Sequence, residues 1–499
     1  MKVLFIYPQY YKARGIPLGI SLLSAILKQK SHSIGLFDTT FMKTKQDLKE
    51  RVINKGCIDY NDYQFLKAPV IDEPEDSVVD INSELIKKIR EFNPGLIAFS
   101  VTTELWPKAV EMIKVIKENK ESNTIPILIG GVHPTIDPED VIKETDILCV
   151  GEGEGAIEEL CDRLEKKQDI TKIKNLWVKK DGKIFKNELR ELINLDDLPC
   201  PDWSLFNKRH LIGIYRGKIC KRGHYLAMRG CPFSCAYCTN NYLKKLFSGC
   251  GNYVRYESVD KTIENLKKLE KEYDLDMIKF SDDLFIARDI KDLEYFKKRY
   301  KEEIGLPFLI SISPLLTTEE KLKVLKDAGC IHVSIGLESG DEKIRNEIFN
   351  RNISNEQILN AFHLANNLGI RTSSFNMIGL PTETREDIFK TIELNKKANA
   401  GTLNVYYIYP FQKTEIRDYC EKRNLIPIGT DKLSISEGEK FNLSEISIEE
   451  LKGLKKTFIL YVNFPKEYWP IIKICEEDNR FSNWLTKKLY EYMRENMLK

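Results

Sequence analysis

Short apolar runs and longer amphipathic stretches alternate along the first third of the chain. The apolar runs predict strands, and the stretches with helical periodicity predict helices. The predicted strands are Lys2–Tyr7, Ser33–Phe37, Leu96–Ser100, Pro126–Ile129 and Ile147–Val150. The predicted helices are Leu18–Lys28, Asn82–Phe92, Pro107–Glu118, Pro138–Lys143 and Ala156–Glu165. This alternation predicts a doubly wound, Rossmann-like α/β domain over residues 1–170, with ligands beyond the carboxyl ends of its strands.

The same alternation returns over residues 223–410 and predicts a second domain. Its predicted strands are Tyr225–Met228, Met277–Phe280, Phe308–Ile312, His332–Ile335, Thr372–Ile378 and Thr402–Tyr409. Its predicted helices are Val259–Tyr273, Ile290–Lys301, Thr318–Ala328, Ser354–Leu368 and Arg385–Ala398. Residues 171–222 predict a hairpin turned at Asp181-Gly182 and a proline-rich linker. Residues 43–80 are weakly periodic and predict an insertion between sheet elements, either a cover for the cofactor or substrate entrance or a plain surface excursion. Residues 411–499 predict a mainly helical region.

Composition narrows the classes of function. The 499 residues carry 77 Lys and Arg against 75 Asp and Glu, so no global charge favours nucleic acid or an anionic membrane. The twelve cysteines are spread through an ordinary composition and indicate thiols in a reducing compartment. Neither a secretory signal nor an apolar run of membrane-spanning length is visible, so we expect a cytoplasmic protein.

Cys231, Cys235 and Cys238 form a C-x3-C-x2-C pattern and are the strongest chemical signal in the chain. Three thiols within eight residues of one loop can ligate one soft metal centre. Iron-sulfur clusters are held by Cys thiolates, usually four, so three would leave one iron of a four-iron four-sulfur cluster open to another ligand. A structural zinc site is the alternative and would recruit Cys220 or Cys250 as a fourth ligand.

The three cysteines, with aromatic Tyr237 before the last, resemble the signature of the radical S-adenosylmethionine (SAM) superfamily. The resemblance implies a 4Fe-4S cluster whose open iron chelates the amino and carboxyl groups of SAM. An electron from a donor such as flavodoxin or ferredoxin would then cleave SAM to methionine and a 5′-deoxyadenosyl radical. The family fold would be a partial (β/α)6 barrel with its chemistry at the carboxyl ends of the strands.

Further motifs at the predicted strand ends resemble this family, notably GCIHVSIGLESGDEKIR and FNMIGLPTET. The resemblance implies that Tyr237 belongs to the SAM site and that Asp282 and Asp283 contact the SAM amino group or nearby substrate. It also implies contacts of Glu338 and Ser339 with the ribose or methionine part, of Arg351 with the carboxylate, and of the backbone around Met377 and Ile378 with adenine. The paired aspartates could instead cap a helix, and Glu338 and Arg351 could be a surface ion pair. The third strand departs from the family, because SISPLL lacks an arginine that many relatives carry.

The strand ends of the first domain resemble those of cobalamin-binding domains, with GGVHPT and GEGE as the motifs. The candidate cobalamin contacts are Pro8, Gly19, Ser100, Thr102, Thr103, Gly130, Gly131, His133, Pro134, Gly151, Glu152 and Gly153. Ordinary turn chemistry is the alternative explanation of the glycines. The D-x-H-x-x-G motif is absent, which implies cobalamin with its own base displaced and no histidine from the protein beneath cobalt. No G-x-G-x-x-G follows the first strand, so a dinucleotide is not favoured.

The two resemblances together predict a cobalamin-dependent radical SAM enzyme. Its favoured reaction is methylation of an unactivated carbon of a small organic substrate through methylcobalamin. A cobalamin-dependent oxidoreductase or cyclase without methyl transfer is the second hypothesis. A zinc-stabilised binding protein without enzymatic activity is the third. No basic track with interleaved aromatic residues predicts a nucleic acid partner.

Overall fold

The computed structural model describes residues 1–45, 47, 76–426 and 443–497. The chain forms two compact units, and the first consists of residues 1–45, 47, 76–213 and 243–255 among those described. The second consists of residues 214–242, 256–426 and 443–497. Most of the predicted insertion at 43–80 lies outside the described residues. Within the described residues, no helix has the length and apolar character to cross a membrane.

A seven-stranded sheet forms the centre of the first unit, in the order β2-β1-β3-β4-β5-β6-β7. Its strands are β1 Lys2–Tyr7, β2 Ser33–Asp38, β3 Leu96–Ser100, β4 Ile127–Gly130, β5 Ile147–Cys149, β6 Leu176–Lys180 and β7 Lys183–Lys186. The first five are parallel, which confirms the predicted doubly wound sheet. Its helices are Leu18–Gln29, Ile81–Phe92, Trp106–Glu118, Val132–Ile136, Pro138–Glu144 and Glu154–Glu165.

The predicted hairpin at Asp181-Gly182 is confirmed as β6 and β7, which pair antiparallel. Both turn residues have positive φ, at 49° for Asp181 and 74° for Gly182, as tight hairpin turns require. The hairpin is more than a connector, because β6 pairs antiparallel with β5 and extends the first sheet. The core of this unit lies where the strands meet helices Ile81–Phe92 and Trp106–Glu118.

A second seven-stranded sheet has the order β16-β15-β14-β13-β12-β9-β8. Its strands are β8 Ile212–Tyr215, β9 Lys218–Tyr225, β12 Met277–Phe280, β13 Phe308–Ile312, β14 Cys330–Glu338, β15 Arg371–Ile378 and β16 Thr402–Tyr407; β10 Met228–Arg229 and β11 Arg255–Tyr256 are two residues each. Strands β9 and β12–β16 are parallel neighbours, which confirms the partial barrel. The largest error in the predicted boundaries is at the first barrel strand, which covers 218–225 and ends where Tyr225–Met228 was expected to begin. Strand β14 also extends beyond the predicted His332–Ile335, and β16 ends at Tyr407 rather than Tyr409.

The second part of the chain contains helices between the barrel strands and others before and after them. They are Thr239–Leu246, Val259–Tyr273, Ile290–Glu303, Glu319–Ala328, Asn355–Asn367, Arg385–Ala398, Glu415–Lys422, Ile448–Asn463, Trp469–Ile474 and Arg480–Asn496; single-turn helices are Leu195–Asp197, Lys208–Leu211, Phe285–Ala287, Pro314–Leu316, Ile344–Ile348 and Lys466–Tyr468. The C-terminal helices have a structural role in the barrel. Leu451, Leu454 and Phe458 share one buried cluster with Leu403 and Val405 of β16. They therefore cover the outer face of that strand.

Gly340 marks a backbone crossing just after β14, where a side chain has no room. A Cβ at this position would lie 2.3 Å from the carbonyl oxygen of Lys390. The Gly340 N–H also donates to Thr391 Oγ1 at 2.7 Å. We expect Gly340→Ala to lower the free energy of unfolding by about 3 kcal/mol or more, because rigid backbone would have to move. Urea unfolding measures the change, with Gly155→Ala as the control.

The control separates crowding from the general effect of alanine in place of glycine. At Gly155, in helix Glu154–Glu165, the nearest atom to an added Cβ is Cδ of Arg190, at an ordinary 3.4 Å. Gly155→Ala should therefore change stability by less than about 1 kcal/mol, in the stabilising direction. Equal effects of the two substitutions would contradict the close approach at Gly340.

Candidate functional site

The three motif cysteines line one cavity of about 760 Å³ inside the second unit. They lie on the loop between β10 and helix Thr239–Leu246. Two backbone hydrogen bonds hold this loop through Ala236, whose N–H donates to the Phe349 carbonyl at 2.8 Å and whose carbonyl accepts from Ile416 N at 3.0 Å. The cysteine loop is therefore fixed by two segments that are distant in sequence.

The three thiols can act as metal ligands, but they need a bound metal centre to ionise at neutral pH. Burial raises the pKa of Cys231 and of Cys238 to about 11, so in the isolated protein they are neutral at pH 7. Among the described residues, no three His, Cys, Asp or Glu side chains converge on one metal ion. Thiols spread along a cavity wall suit a cluster, which is larger than a single ion and is bound through separate irons. The donor set and the cavity fit an iron-sulfur cluster.

The paired aspartates have separate environments. Asp283 lines the cavity and accepts from Gly230 N and from Asn240 Nδ2, both at 2.8 Å. Asp282 is 4% exposed, lies off the cavity wall, and accepts from the backbone N–H groups of Ala227 and Met228 at 2.7 and 3.1 Å. Asp283 thus holds both ends of the cysteine loop, whereas Asp282 fixes the strand end that leads into it.

Glu338, Arg351 and Tyr237 form one buried group on the cavity wall. Arg351 donates to Glu338 Oε1 at 2.9 Å, to the Gly336 carbonyl at 2.7 Å and to the Tyr237 hydroxyl at 3.3 Å. Burial raises the pKa of Glu338, and the Arg351 charge opposes that rise. The alternative of a surface ion pair is wrong, because these side chains are only 14% and 9% exposed.

The end of β15 supplies another part of the wall. Met377 and Asn376 line the cavity, whereas Ile378 is fully buried and shares a core cluster with Leu451 and Leu454. Ser339 is also fully buried and off the wall; its hydroxyl accepts from Asp341 N at 3.2 Å. Of these three predicted residues, Met377 is therefore the one on the cavity wall.

Glu383 supports the loop that follows β15. Its carboxyl group is fully buried, and Oε2 accepts from Gly379 N at 2.7 Å and Leu380 N at 3.1 Å, while Oε1 has no partner in the described chain. Burial raises its pKa from 4.5 to about 8. The group is therefore largely protonated at neutral pH in the folded protein.

This shift predicts a pH-dependent stability. Between pH 4.5 and 8 the folded chain binds a proton at Glu383 that the unfolded chain does not, so stability falls as pH rises through this window. Relative to Glu383→Gln, which mimics the protonated acid, the wild type should lose on the order of 3 kcal/mol between pH 5 and 8. Urea unfolding of both proteins at both pH values measures the difference. Parallel pH dependence would contradict it.

An aromatic wall of the cavity was missed from the sequence. It consists of Phe375, Tyr406, Tyr409 and Phe411, with Leu315 beside them. Phe375 and Tyr406 are stacked with ring centroids 6.2 Å apart and planes at 12°, and Tyr409 and Phe411 are 4.8 Å apart. The available signal was the aromatic-rich run from Tyr406 to Phe411, which was interpreted only as strand and barrel exit.

In the first unit, three loops converge at the carboxyl edge of the parallel sheet. An added Cβ at Gly131, where φ is +111°, would lie 2.5 Å from the Val101 carbonyl oxygen. The Thr135 hydroxyl accepts from Gly151 N and donates to the Gly131 carbonyl, both at 2.9 Å. The β3, β4 and β5 loops therefore meet, and glycine is required where the first two touch.

The candidate cobalamin residues occupy this edge in different ways. Ser100 and Gly19 are neighbours, with Ser100 Oγ 3.9 Å from a Cβ built at Gly19. Exposure divides the others: Pro8 and Pro134 are buried, Thr102 is exposed, and Thr103, Gly130 and Gly153 are half-buried. Close backbone loops with accessible polar groups fit a large planar cofactor at this edge.

Two candidate side chains have partners within the unit. Glu152 forms an ion pair with Arg255 at 2.5 Å, so its carboxylate is already neutralised. His133 is 5% exposed and packs on Trp106 with ring centroids 5.1 Å apart. Burial lowers the pKa of His133 to about 4, and it is neutral at pH 7.

Comparison with known proteins gives two domain matches. A family model described as the radical SAM superfamily matches residues 225–394, and one described as the B12 binding domain matches residues 69–161. The first includes all three motif cysteines. The second includes all candidate cobalamin residues except Pro8 and Gly19.

Individual relatives agree with both matches. The chain is 27% identical over 413 residues to an uncharacterised methyltransferase of Pyrococcus horikoshii, across 81% of this chain and 87% of the relative. It is 25% identical over 386 residues to an anaerobic magnesium-protoporphyrin IX monomethyl ester cyclase of Rubrivivax gelatinosus, across 74% of this chain and 66% of the cyclase. A solved structure of the radical SAM methyltransferase TsrM from Kitasatospora setae, which contains cobalamin and a 4Fe-4S cluster, has the same fold. The TM-score is 0.65 at 14% sequence identity, and the match covers 98% of this chain and 99% of that chain. The chain belongs to the cobalamin-binding radical SAM enzymes.

Proposed function

We propose that this enzyme methylates an unactivated carbon of a small organic substrate, with methylcobalamin as the methyl donor. The observation that carries the proposal is the presence in one chain of a thiol-lined barrel cavity and a cobalamin-type sheet edge. The Pyrococcus relative, itself described as a methyltransferase, supports the transfer of a methyl group.

The cofactors carry the reaction, and the protein positions them. When bound, the cluster and SAM supply a hydrogen-abstracting radical, and cobalamin supplies the methyl group. Cys231, Cys235 and Cys238 would hold the cluster and leave one iron without a protein thiolate. Arg351 would hold the SAM carboxylate through donors beyond those it gives to Glu338, and Asp283 would accept from the SAM amino group.

The lining of the cavity indicates the substrate chemistry. Among the described lining residues the charged ones are Asp283, Glu338 and Arg351. The aromatic wall beyond them offers stacking surfaces and few polar groups. Aromatic faces favour planar partners in offset or edge contact. We infer a substrate with an uncharged, planar portion that lies against Phe375 and Tyr406.

A second function is a cyclisation or oxidation without methyl transfer. The Rubrivivax relative supports it, because that protein is described as a cyclase. Both functions require the same cysteine loop and the same sheet edge. They differ in one product, since only methyl transfer makes S-adenosylhomocysteine.

The test is anaerobic reconstitution of the whole protein with iron, sulfide and hydroxocobalamin. SAM and a strong reductant are added, and chromatography follows 5′-deoxyadenosine and S-adenosylhomocysteine; flavodoxin or ferredoxin then replaces the reductant as the proposed donor. Cobalamin retention with both products supports methylation. Cobalamin retention with 5′-deoxyadenosine alone, across a panel of planar aromatic substrates, supports the second function. A colourless protein with zinc and neither iron nor cobalt would refute both enzymatic functions and favour the zinc-stabilised binding protein.

A cytoplasmic location remains a prediction from the sequence.

A further inference from the structure

A layer of basic side chains crosses the barrel sheet on its inner face. The strand register pairs His224 of β9 with Lys279 of β12, Lys279 with Leu309 of β13, Leu309 with His332 of β14, and His332 with Arg371 of β15. Directly paired residues point to the same face of a sheet. Four of the five residues in this row can carry positive charge.

The row lies on the cavity side of the sheet, towards the amino ends of the strands. Ser311, Ser334 and Phe375 line the cavity, and alternate residues of a strand share a face. Leu309 and His332 each precede a lining serine by two residues, which separates the row from that lining by about 7 Å along the strands. Arg222 precedes His224 by two residues on β9 and adds a further cation, two residues closer to the amino end of the strand.

These cations lack anionic partners in the described chain. The side chains of Arg222, His224 and Lys279 form no hydrogen bond or ion pair with any described residue, and Arg222 Nε is buried. Arg371 donates to neutral acceptors only, the Gly401 carbonyl at 2.7 Å and Thr402 Oγ1 at 3.3 Å. For comparison, Arg255, Arg351 and Arg385 in the same chain each face a carboxylate.

The charged groups that act on the row are mainly other cations. Burial, then Arg222 and Lys279, lowers the pKa of His224 to about 3. Burial, then Arg371 and Lys279, lowers the pKa of His332 to about 4. His332 Nε2 and Ser373 Oγ are 2.7 Å apart, while Nδ1 is buried and has no hydrogen-bond partner among the described residues. Like charges held in a partly buried space are unfavourable unless an anion joins them.

We propose that this layer, formed by Arg222, His224, Lys279, His332 and Arg371, binds an oxyanion of the phosphate type. Three permanent cations without a described carboxylate favour a divalent anion. Guanidinium and ammonium groups donate to phosphate oxygens in charge-assisted hydrogen bonds, and the neutral imidazoles add donors. Lys279 is exposed, so the site is open to a ligand from solution. The anion is either free or the terminal group of an organic molecule, and methyl transfer is not required for it to bind.

Calorimetry on the anaerobically purified whole protein tests the proposal. The probes are inorganic phosphate and phenyl phosphate, each against sodium chloride at equal ionic strength. We expect saturable binding of at least one phosphate probe. The affinity should fall about tenfold or more in Lys279→Gln and in Arg222→Gln, because each removes a charge-assisted hydrogen bond. Lys279→Arg should retain binding.

Lys323→Gln is the matched control. Lys323 is a surface lysine on helix Glu319–Ala328 that pairs with Glu319 at 2.7 Å, and its replacement should leave phosphate affinity unchanged. A thermal scan without phosphate gives an independent readout: Lys279→Gln should unfold at a higher temperature than the wild type, because it removes like-charge repulsion. A variant that has lost its fold would unfold at a lower temperature.

The outcomes separate the two sources of the anion. Equal affinity for both probes indicates a free anion, and binding of phenyl phosphate alone indicates an anion carried on an organic molecule; both uphold the site. Responses to both phosphates no larger than to chloride would overturn it. So would undiminished phosphate affinity in Lys279→Gln and Arg222→Gln together.

Discussion

Cys235→Ala abolishes the formation of 5′-deoxyadenosine and lowers the iron content of the reconstituted protein; this is the largest effect that we expect from a single substitution. Cys235 lines the same cavity wall as Cys231 and Cys238, and two thiolates cannot hold three irons of a cluster. Burial raises the pKa of all three thiols. In the variant the two remaining thiols therefore stay neutral, and no open iron is present to bind SAM.

Iron content and visible absorbance provide readouts that do not depend on turnover. Cys250→Ala is the matched control, because Cys250 is also a half-buried free thiol but lies outside the motif. The control should retain iron, absorbance and activity. If Cys235→Ala kept full iron and wild-type 5′-deoxyadenosine formation, the assignment of the cluster ligands would be wrong. Iron loss in Cys250→Ala as well would point to a four-cysteine site in which Cys250 is the fourth ligand.

Arg351→Leu should be the most damaging change to the proposed SAM site outside the cysteine loop. Glu338 is 14% exposed and loses its ion-pair partner in this variant. Breaking a buried pair by removal of one member costs about 3–5 kcal/mol, since the other charge stays buried. The Gly336 carbonyl oxygen also loses a hydrogen bond, because it accepts from Arg351 at 2.7 Å in the wild type. We expect a comparable loss in the free energy of unfolding and loss of SAM binding.

A double-mutant cycle separates the pair from its members. Glu338→Gln with Arg351→Leu removes the unpaired charge, so stability should recover in part while SAM binding stays lost. Urea unfolding gives the stability, and equilibrium dialysis with labelled SAM gives the binding. Arg90→Leu is the control, because the Arg90–Glu121 pair is 64% and 53% exposed and should contribute no more than about 1 kcal/mol. Equal destabilisation by Arg90→Leu and Arg351→Leu would contradict the burial argument.

The carboxyl edge of the first sheet illustrates what strand patterns can predict. Each predicted strand end lies within one residue of the observed one, because each short apolar run gives way to glycine, proline, serine, threonine or aspartate. The loops after β3, β4 and β5 therefore had to share an edge. Their mutual contacts could not be predicted, since the Gly131 approach to Val101 depends on how far each loop bends.

By itself, the sequence determined the properties that depend on neighbouring residues: the alternation of strands and helices, the Asp181-Gly182 turn, and three thiols close enough to share one centre. These follow from local periodicity and spacing, which need no partner elsewhere in the chain. Only the tertiary structure decided that Asp283 faces the cavity while Asp282 holds a strand end, because alternate residues at a strand end point to opposite sides. The tertiary structure also decided that Glu152 forms an ion pair with Arg255, which lies 103 positions later in the chain. The basic layer depends on the register of five strands, and register is fixed by packing across the whole barrel rather than by any one segment.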